Sequence, residues 1–283
     1  MSRLPLLALV CLAAACSRPA GVEEARPLSS LQVDQFPQYP GGIPTEWAEA
    51  FDHAMRQSPH VEPGAPGALA QVRSAFLTIP WIQPESVVVQ GAMPEGFRVR
   101  FTPRRPRLVL TRGERPVGVL STDGIMLPQG LSEEQMAGLL RTPLPADADL
   151  PAVGTRPANP DIQEAMRLWA EADTVADLMK LPIVAIARQS HYPAHADQFA
   201  PAMSFLLADG TEICWGRSEG AKDAFAVDER GRPLTMERKL MRLKGVWQEY
   251  PDLRGIGRVV LDFPALHLYD ERERELPAAA SMH

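Results

Sequence analysis

Lysine is scarce in this chain of 283 residues: four of the 29 cationic side chains, Lys180, Lys222, Lys239 and Lys244, against arginine for the rest. Codon usage accounts for such a skew before any need for bidentate contacts. A surplus of basic charge is also lacking, since the formal charge is -6, and a general nucleic-acid binder, which must neutralise phosphates, is excluded. With three cysteines, Cys11, Cys16 and Cys214, the chain is no disulfide scaffold and depends on core burial. There is no nucleophile elbow, no phosphate-cradling glycine loop and no paired metal signature. What is abundant is proline, 28 residues, which predicts many turns and no long uninterrupted helix. A 45% hydrophobic, 23% charged chain of this length describes one or two globular domains.

The clearest address signal is N-terminal. Arg3 precedes an apolar stretch, Leu4 to Leu12, that ends in Ala13, Ala14 and Ala15, the pattern of a secretory signal over residues 1–15. It is too short for a membrane span, which needs about 20 residues. Cys16 follows directly, and Leu12-Ala13-Ala14-Ala15-Cys16 resembles the lipobox of bacterial lipoproteins, in which the cysteine is lipidated. A plain signal peptide with an incidental cysteine is the simpler alternative. Residues 16–30 are polar and aperiodic, as a tether would be.

Two amphipathic helices are expected next, one with Trp47, Ala50, Phe51 and Ala54 as its stripe, the other with Leu69, Val72, Phe76 and Leu77 and a stop at Pro80. Strands are predicted at Leu31 to Val33, Ser86 to Gln90 and Phe97 to Phe101, the last alternating apolar and charged. Residues 31–106 thus form a compact βααββ module. From 107 to 270 the pattern is mainly β. It contains a hairpin at Asp123-Gly124 and another at Asp209-Gly210, with a Pro-rich interruption from Thr142 to Pro160. Asn159 and Pro160 start a helix with stripe Ile162, Ala165, Met166 and Trp169. Thr235 starts a second with Met236, Leu240, Leu243 and Trp247. Closing strands are expected over Arg258 to Phe263 and Leu266 to Tyr269. The charged run Asp270 to Glu275 reads as solvated, leading into a polar tail over 271–283. The fold class is α+β.

Few residues offer chemistry. His191, His195 and Asp197 could suggest zinc, but Pro193 spoils the helical spacing that would converge the two imidazoles. Cys214, alternating with Ile213 and Trp215, reads as a small buried side chain. Arg98, Arg100, Arg104, Arg105, Arg107, Arg112 and Arg115 form a basic run. The choice is between contact with anionic lipid or an acidic partner and, favoured, the solvent face of an edge strand.

Several short motifs occur in one order: Ile79-Pro80-Trp81-Ile82, Ser86-Val87, Arg104-Arg105-Pro106, Asp123-Gly124, Leu150-Pro151-Ala152-Val153-Gly154, Trp215-Gly216-Arg217, Thr235-Met236 and Val260-Leu261-Asp262-Phe263. Together they resemble the periplasmic part of the bacterial division protein FtsQ, or DivIB. The resemblance implies a POTRA domain followed by the family's β domain, no catalysis and no cofactor. It implies a scaffold on the periplasmic side of the cell envelope, at the septum, that recruits small coiled-coil membrane proteins, FtsB and FtsL, through an edge strand near the C-terminus and the adjoining helix. Carried onto this sequence, the partner-binding residues are Arg242, Leu266, Leu268 and Tyr269. Here the signal and Cys16 replace the family's transmembrane anchor, and Pro264 stands where the family has arginine. Two other readings are an envelope-assembly or periplasmic binding lipoprotein on the same fold and a zinc-dependent hydrolase around His191 and His195.

Overall fold

The computed structural model describes residues 31–33, 42–57, 61, 65–92, 96–189, 201–219, 227–228 and 230–277. The signal, Cys16, the tether and the His191, His195 and Asp197 group lie outside the described residues. The chain divides into two compact units, Met1–Pro103 and Arg104–His283. Helices and a largely antiparallel, mixed sheet make it an α+β protein.

The first unit runs β1 (Leu31–Val33), α1 (Thr45–Gln57), α2 (Ala68–Leu77), β2 (Val88–Ala92) and β3 (Gly96–Arg100). Strand β3 is central, parallel to β1 and antiparallel to β2. Its alternation is realised, with Phe97 and Val99 buried and Arg98 and Arg100 exposed. Aromatic rings hold the unit together: Trp47 stacks on Trp81 at 5.6 Å, and Phe51 meets Phe76 edge-on at 5.7 Å. Such pairs add about 0.5 to 1.5 kcal/mol each beyond the area they bury. The expected stripe of α2 needs correction, because Leu69 and Leu77 are exposed and Ala68, Val72 and Phe76 are buried. Seating Phe76 among the aromatic rings turns Leu77, about 100° further round the helix, into solvent.

In the second unit come β4 (Pro106–Arg112), β5 (Arg115–Ser121), α3 (Glu133–Met136), β6 (Leu140–Pro143), α4 (Pro160–Met179) and β7 (Ile183–Arg188). After them run β8 (Met203–Leu207), β9 (Glu212–Gly216), α5 (Met236–Glu249), β10 (Ile256–Val260), β11 (His267–Asp270) and β12 (Glu275–Leu276). The nine strands lie in the order β12-β11-β10-β9-β8-β7-β6-β4-β5. Parallel pairings at β4–β6, β6–β7 and β9–β10 interrupt an otherwise antiparallel ladder. A parallel neighbour needs a long crossover. The 20-residue α4 supplies it between β6 and β7, started by Asn159 Oδ1, which accepts from the amides of Asp161 at 2.9 Å and Ile162 at 3.2 Å. Its buried face is Ile162, Ala165, Leu168, Ala172, Val175 and Met179, while Met166 and Trp169 are only half-buried.

The basic run is not one edge-strand surface. Strand β3 sits between two neighbours, Arg104 is buried against Asp123, Arg107 pairs with Asp173 under the Trp169 ring, and Arg112 donates to the Ala148 carbonyl at 2.6 Å.

The charged run is solvated as expected, with residues 271–275 exposed, and it also folds back on the sheet. Asp270 accepts from the amides of Arg272 and Arg274, at 2.8 and 2.9 Å, and from Arg274 Nε at 2.8 Å. That carboxylate wraps the chain into a turn and returns it as β12, pairing Leu276 with Leu268 and Glu275 with Tyr269. These amides and the Arg274 guanidinium hold the Asp270 carboxyl below its ordinary value of 3.8. A depressed carboxyl contributes stability above its unfolded value and loses it as pH falls through the folded one. Strand β12 should therefore stay paired at pH 4 and release only below about 3.8. Methyl resonances of Leu276 followed by NMR between pH 6 and 2.5 check this, and release near pH 5 contradicts it.

Candidate interaction edge and the polar cluster behind it

Strand β10 leads into a tight bend, Leu261 to Ala265, before β11. Arg242, on α5, holds that bend: one guanidinium nitrogen donates to the carbonyls of Leu261 at 3.0 Å and Phe263 at 2.7 Å, the other to Pro264 at 2.5 Å. Arginine suits the task because its planar fork presents several donors at once to carbonyls in one plane. A proline can take part, since only its carbonyl is used. The bend pushes Phe263 into solvent, 45% exposed, and on the helix Met241 is 57% exposed.

The four residues carried over from the family are placed differently from one another. Arg242 is spent on the bend. Leu266 is half-buried and packs against the core. Leu268 is fully buried, so it offers a partner no side chain; along β11 the alternation that turns His267 and Tyr269 outward turns Leu268 inward. Tyr269 is half-buried and carries the Arg258 guanidinium 4.5 Å from its ring centroid. Met241 and Phe263, the exposed apolar side chains of this region, went unread in the sequence. Helical spacing from the buried Leu243 and Val246 would have placed Met241 outside.

Behind the bend lies a buried polar cluster that links five elements. Gly216, at the end of β9, has φ +83, and a Cβ there would meet the Asp262 Cβ at 2.6 Å. Asp262 Oδ2 accepts from Gln189 Nε2 at 3.2 Å. Lys239, buried on α5, donates to the Arg217 carbonyl at 2.8 Å and lies over the Trp215 ring. Two glutamates of α4 complete the group. Glu164 accepts from the Ser218 amide at 2.6 Å, and Glu171 accepts from Trp215 Nε1 at 2.6 Å and the Glu219 amide at 3.0 Å. Burial pushes the Asp262 carboxyl up, an effect the Gln189 hydrogen bond opposes. Burial pushes Lys239 down, against the pull of Glu171, Asp262 and Glu164. The stripe expected for α5 is thereby corrected, because Lys239, Leu243 and Val246 are its buried residues while Met236, Leu240 and Trp247 pack only in part.

This cluster fixes the ends of β9 and β10 against α4 and α5, and so fixes where the bend stands. Cys214 lies beside it, buried, its thiol pushed up to about 12 first by desolvation and then by Glu212. Such a group is a thiol rather than a thiolate at neutral pH. Among the described residues no three His, Cys, Asp or Glu side chains converge as metal ligands, and no helix is long and apolar enough to cross a membrane.

No protein-family model matches this chain, and no curated protein does so.

Proposed function

We propose that the chain is a non-enzymatic scaffold of the cell envelope, resembling the division protein FtsQ. In this reading it is held on the periplasmic side by a lipid on Cys16 and recruits small single-span coiled-coil proteins like FtsB and FtsL. The observation that carries the reading is the end of the nine-stranded sheet. It closes on a strand of only two residues, beside a bend stapled by Arg242 and flanked by exposed Met241 and Phe263. An edge strand presents unpaired N–H and C=O groups to which another strand can add, while neighbouring apolar side chains supply selectivity. The ordered motifs shared with the family support the same reading.

The test is cross-linked co-purification from detergent-solubilised envelopes, comparing the full chain with Met241→Arg/Phe263→Arg. Both side chains are exposed, so the double variant should fold, which circular dichroism verifies. Small coiled-coil membrane proteins should co-purify with the wild type and fall at least tenfold with the variant, a loss of about 1.4 kcal/mol. Equal capture by both, or capture by neither, removes this edge from the account. Charging Leu268 instead would be uninformative, because an arginine in its fully buried position would unfold the sheet.

A further inference from the structure

The sheet's last strand is short. Strand β12 makes two ladder pairs, its Leu276 packs in part against the core, and the turn before it is wrapped on Asp270; its other side-chain contacts are the ion pair of Glu273 with Arg258 and the 2.7 Å contact of Glu275 with His267. Glu273 and Glu275 are both largely exposed, and ion pairs between exposed side chains contribute little. The turn leading into β12 is strained as well. It repeats the pattern of an earlier turn, Asp228-Glu229-Arg230-Gly231-Arg232 against Asp270-Glu271-Arg272-Glu273-Arg274, each wrapped on its aspartate. Where the first has Gly231 at φ +72, the second has Glu273 at φ +60, a conformation costly for a residue with a Cβ. What Glu273 brings in exchange is its carboxylate on Arg258.

Beneath β12 the surface is shaped. Leu276 packs against the core beside Leu268, and on the opposite face Glu275 meets His267 next to Tyr269. We propose that β12 is a placeholder: resting on the edge reading above, the geometry points to a partner strand that replaces Glu275–Leu276 on β11 rather than adding outside it. The strand that fits is extended and carries an acidic residue followed by a leucine-like one. The acid faces His267 and the Arg258 side, and the aliphatic side chain fills the place of Leu276. A tethered strand competes with an effective concentration on the order of millimolar, so β12 excludes weak strands and yields only to a better match.

The experiment uses the full chain and a fluorescent synthetic peptide with the sequence of residues 271–277. Leu276→Ser removes the anchor of the tethered strand and should bind the peptide about tenfold more tightly than wild type. Tyr269→Cys/Glu275→Cys, a directly opposed pair, clamps β12 when oxidised; the oxidised form should bind no peptide, and reduction should restore binding. Cys214 is buried and does not interfere. The clamped form is its own folding control, and Leu276→Ser is checked by thermal unfolding. If the clamped chain binds as well as the reduced one, or Leu276→Ser binds no more tightly than wild type, partners add outside β12: the placeholder falls while the edge reading stands. If no form binds, both fall.

Discussion

Gly216→Ala is expected to lower the stability of the second unit by about 2 to 5 kcal/mol, combining roughly 1 to 2 for a Cβ in left-handed backbone with about 1 to 3 for overpacking. The second contribution arises because the new methyl would stand 2.6 Å from the Asp262 Cβ, where neither strand end can give way without breaking the cluster. Gly210→Ala separates the two effects. Its φ is +92 but nothing lies within 4 Å, so only the backbone cost of about 1 to 2 kcal/mol applies. Urea midpoints of the two variants decide the matter, and equal losses would show that the approach to Asp262 costs nothing. There is a functional consequence too. Asp262 immediately precedes Phe263, so whatever moves it moves the bend that Arg242 holds, and partner capture should weaken even at temperatures where Gly216→Ala remains folded.

Lys239→Met should cost about 1 to 3 kcal/mol, the range for leaving a buried acceptor, here the Arg217 carbonyl, without its donor. Methionine keeps most of the stem's volume, so the loss reports charge rather than a cavity. Asp262 is raised by burial, and an acid whose folded value lies above 3.8 favours the fold at low pH, an advantage lost as pH rises through that folded value. Without Lys239 the burden above it grows. The difference between variant and wild type should be widest near pH 7 and narrow toward pH 4. Adding Asp262→Asn to Lys239→Met should recover at least about 1 kcal/mol, as expected for neighbours in one network. A pH-independent difference, or strict additivity, would mean that Lys239 does not compensate these acids.

Much of the fold was legible where local chemistry is strong. Asn159-Pro160 announced α4, Thr235 announced α5, and Asp209-Gly210 marked the turn between β8 and β9. Alternation placed Phe97 and Val99 inside. Strands β6 and β7 were not legible. Strand β6 has four residues in a Pro-rich stretch, and β7 is a continuous apolar run without period two, which suits a strand in the middle of a sheet but announces nothing. Of the candidate site, Arg242 was named only through the family resemblance and for a partner contact, and its three carbonyl partners could not be named, because they lie some 20 residues away and come together only in the bend.

The sequence by itself determined the α+β class, the helix starts and the turn chemistry, all of which depend on neighbours within a few residues. Tertiary structure alone decided the rest. It turned Leu69 and Leu77 outward, buried Leu268, drew Lys239 into a group of acids from other elements and folded a charged tail into the last strand of the sheet. The reason is physical: burial and charge compensation are set by residues distant along the chain. A pattern can say that one face must be covered, but only the partner that arrives there fixes which.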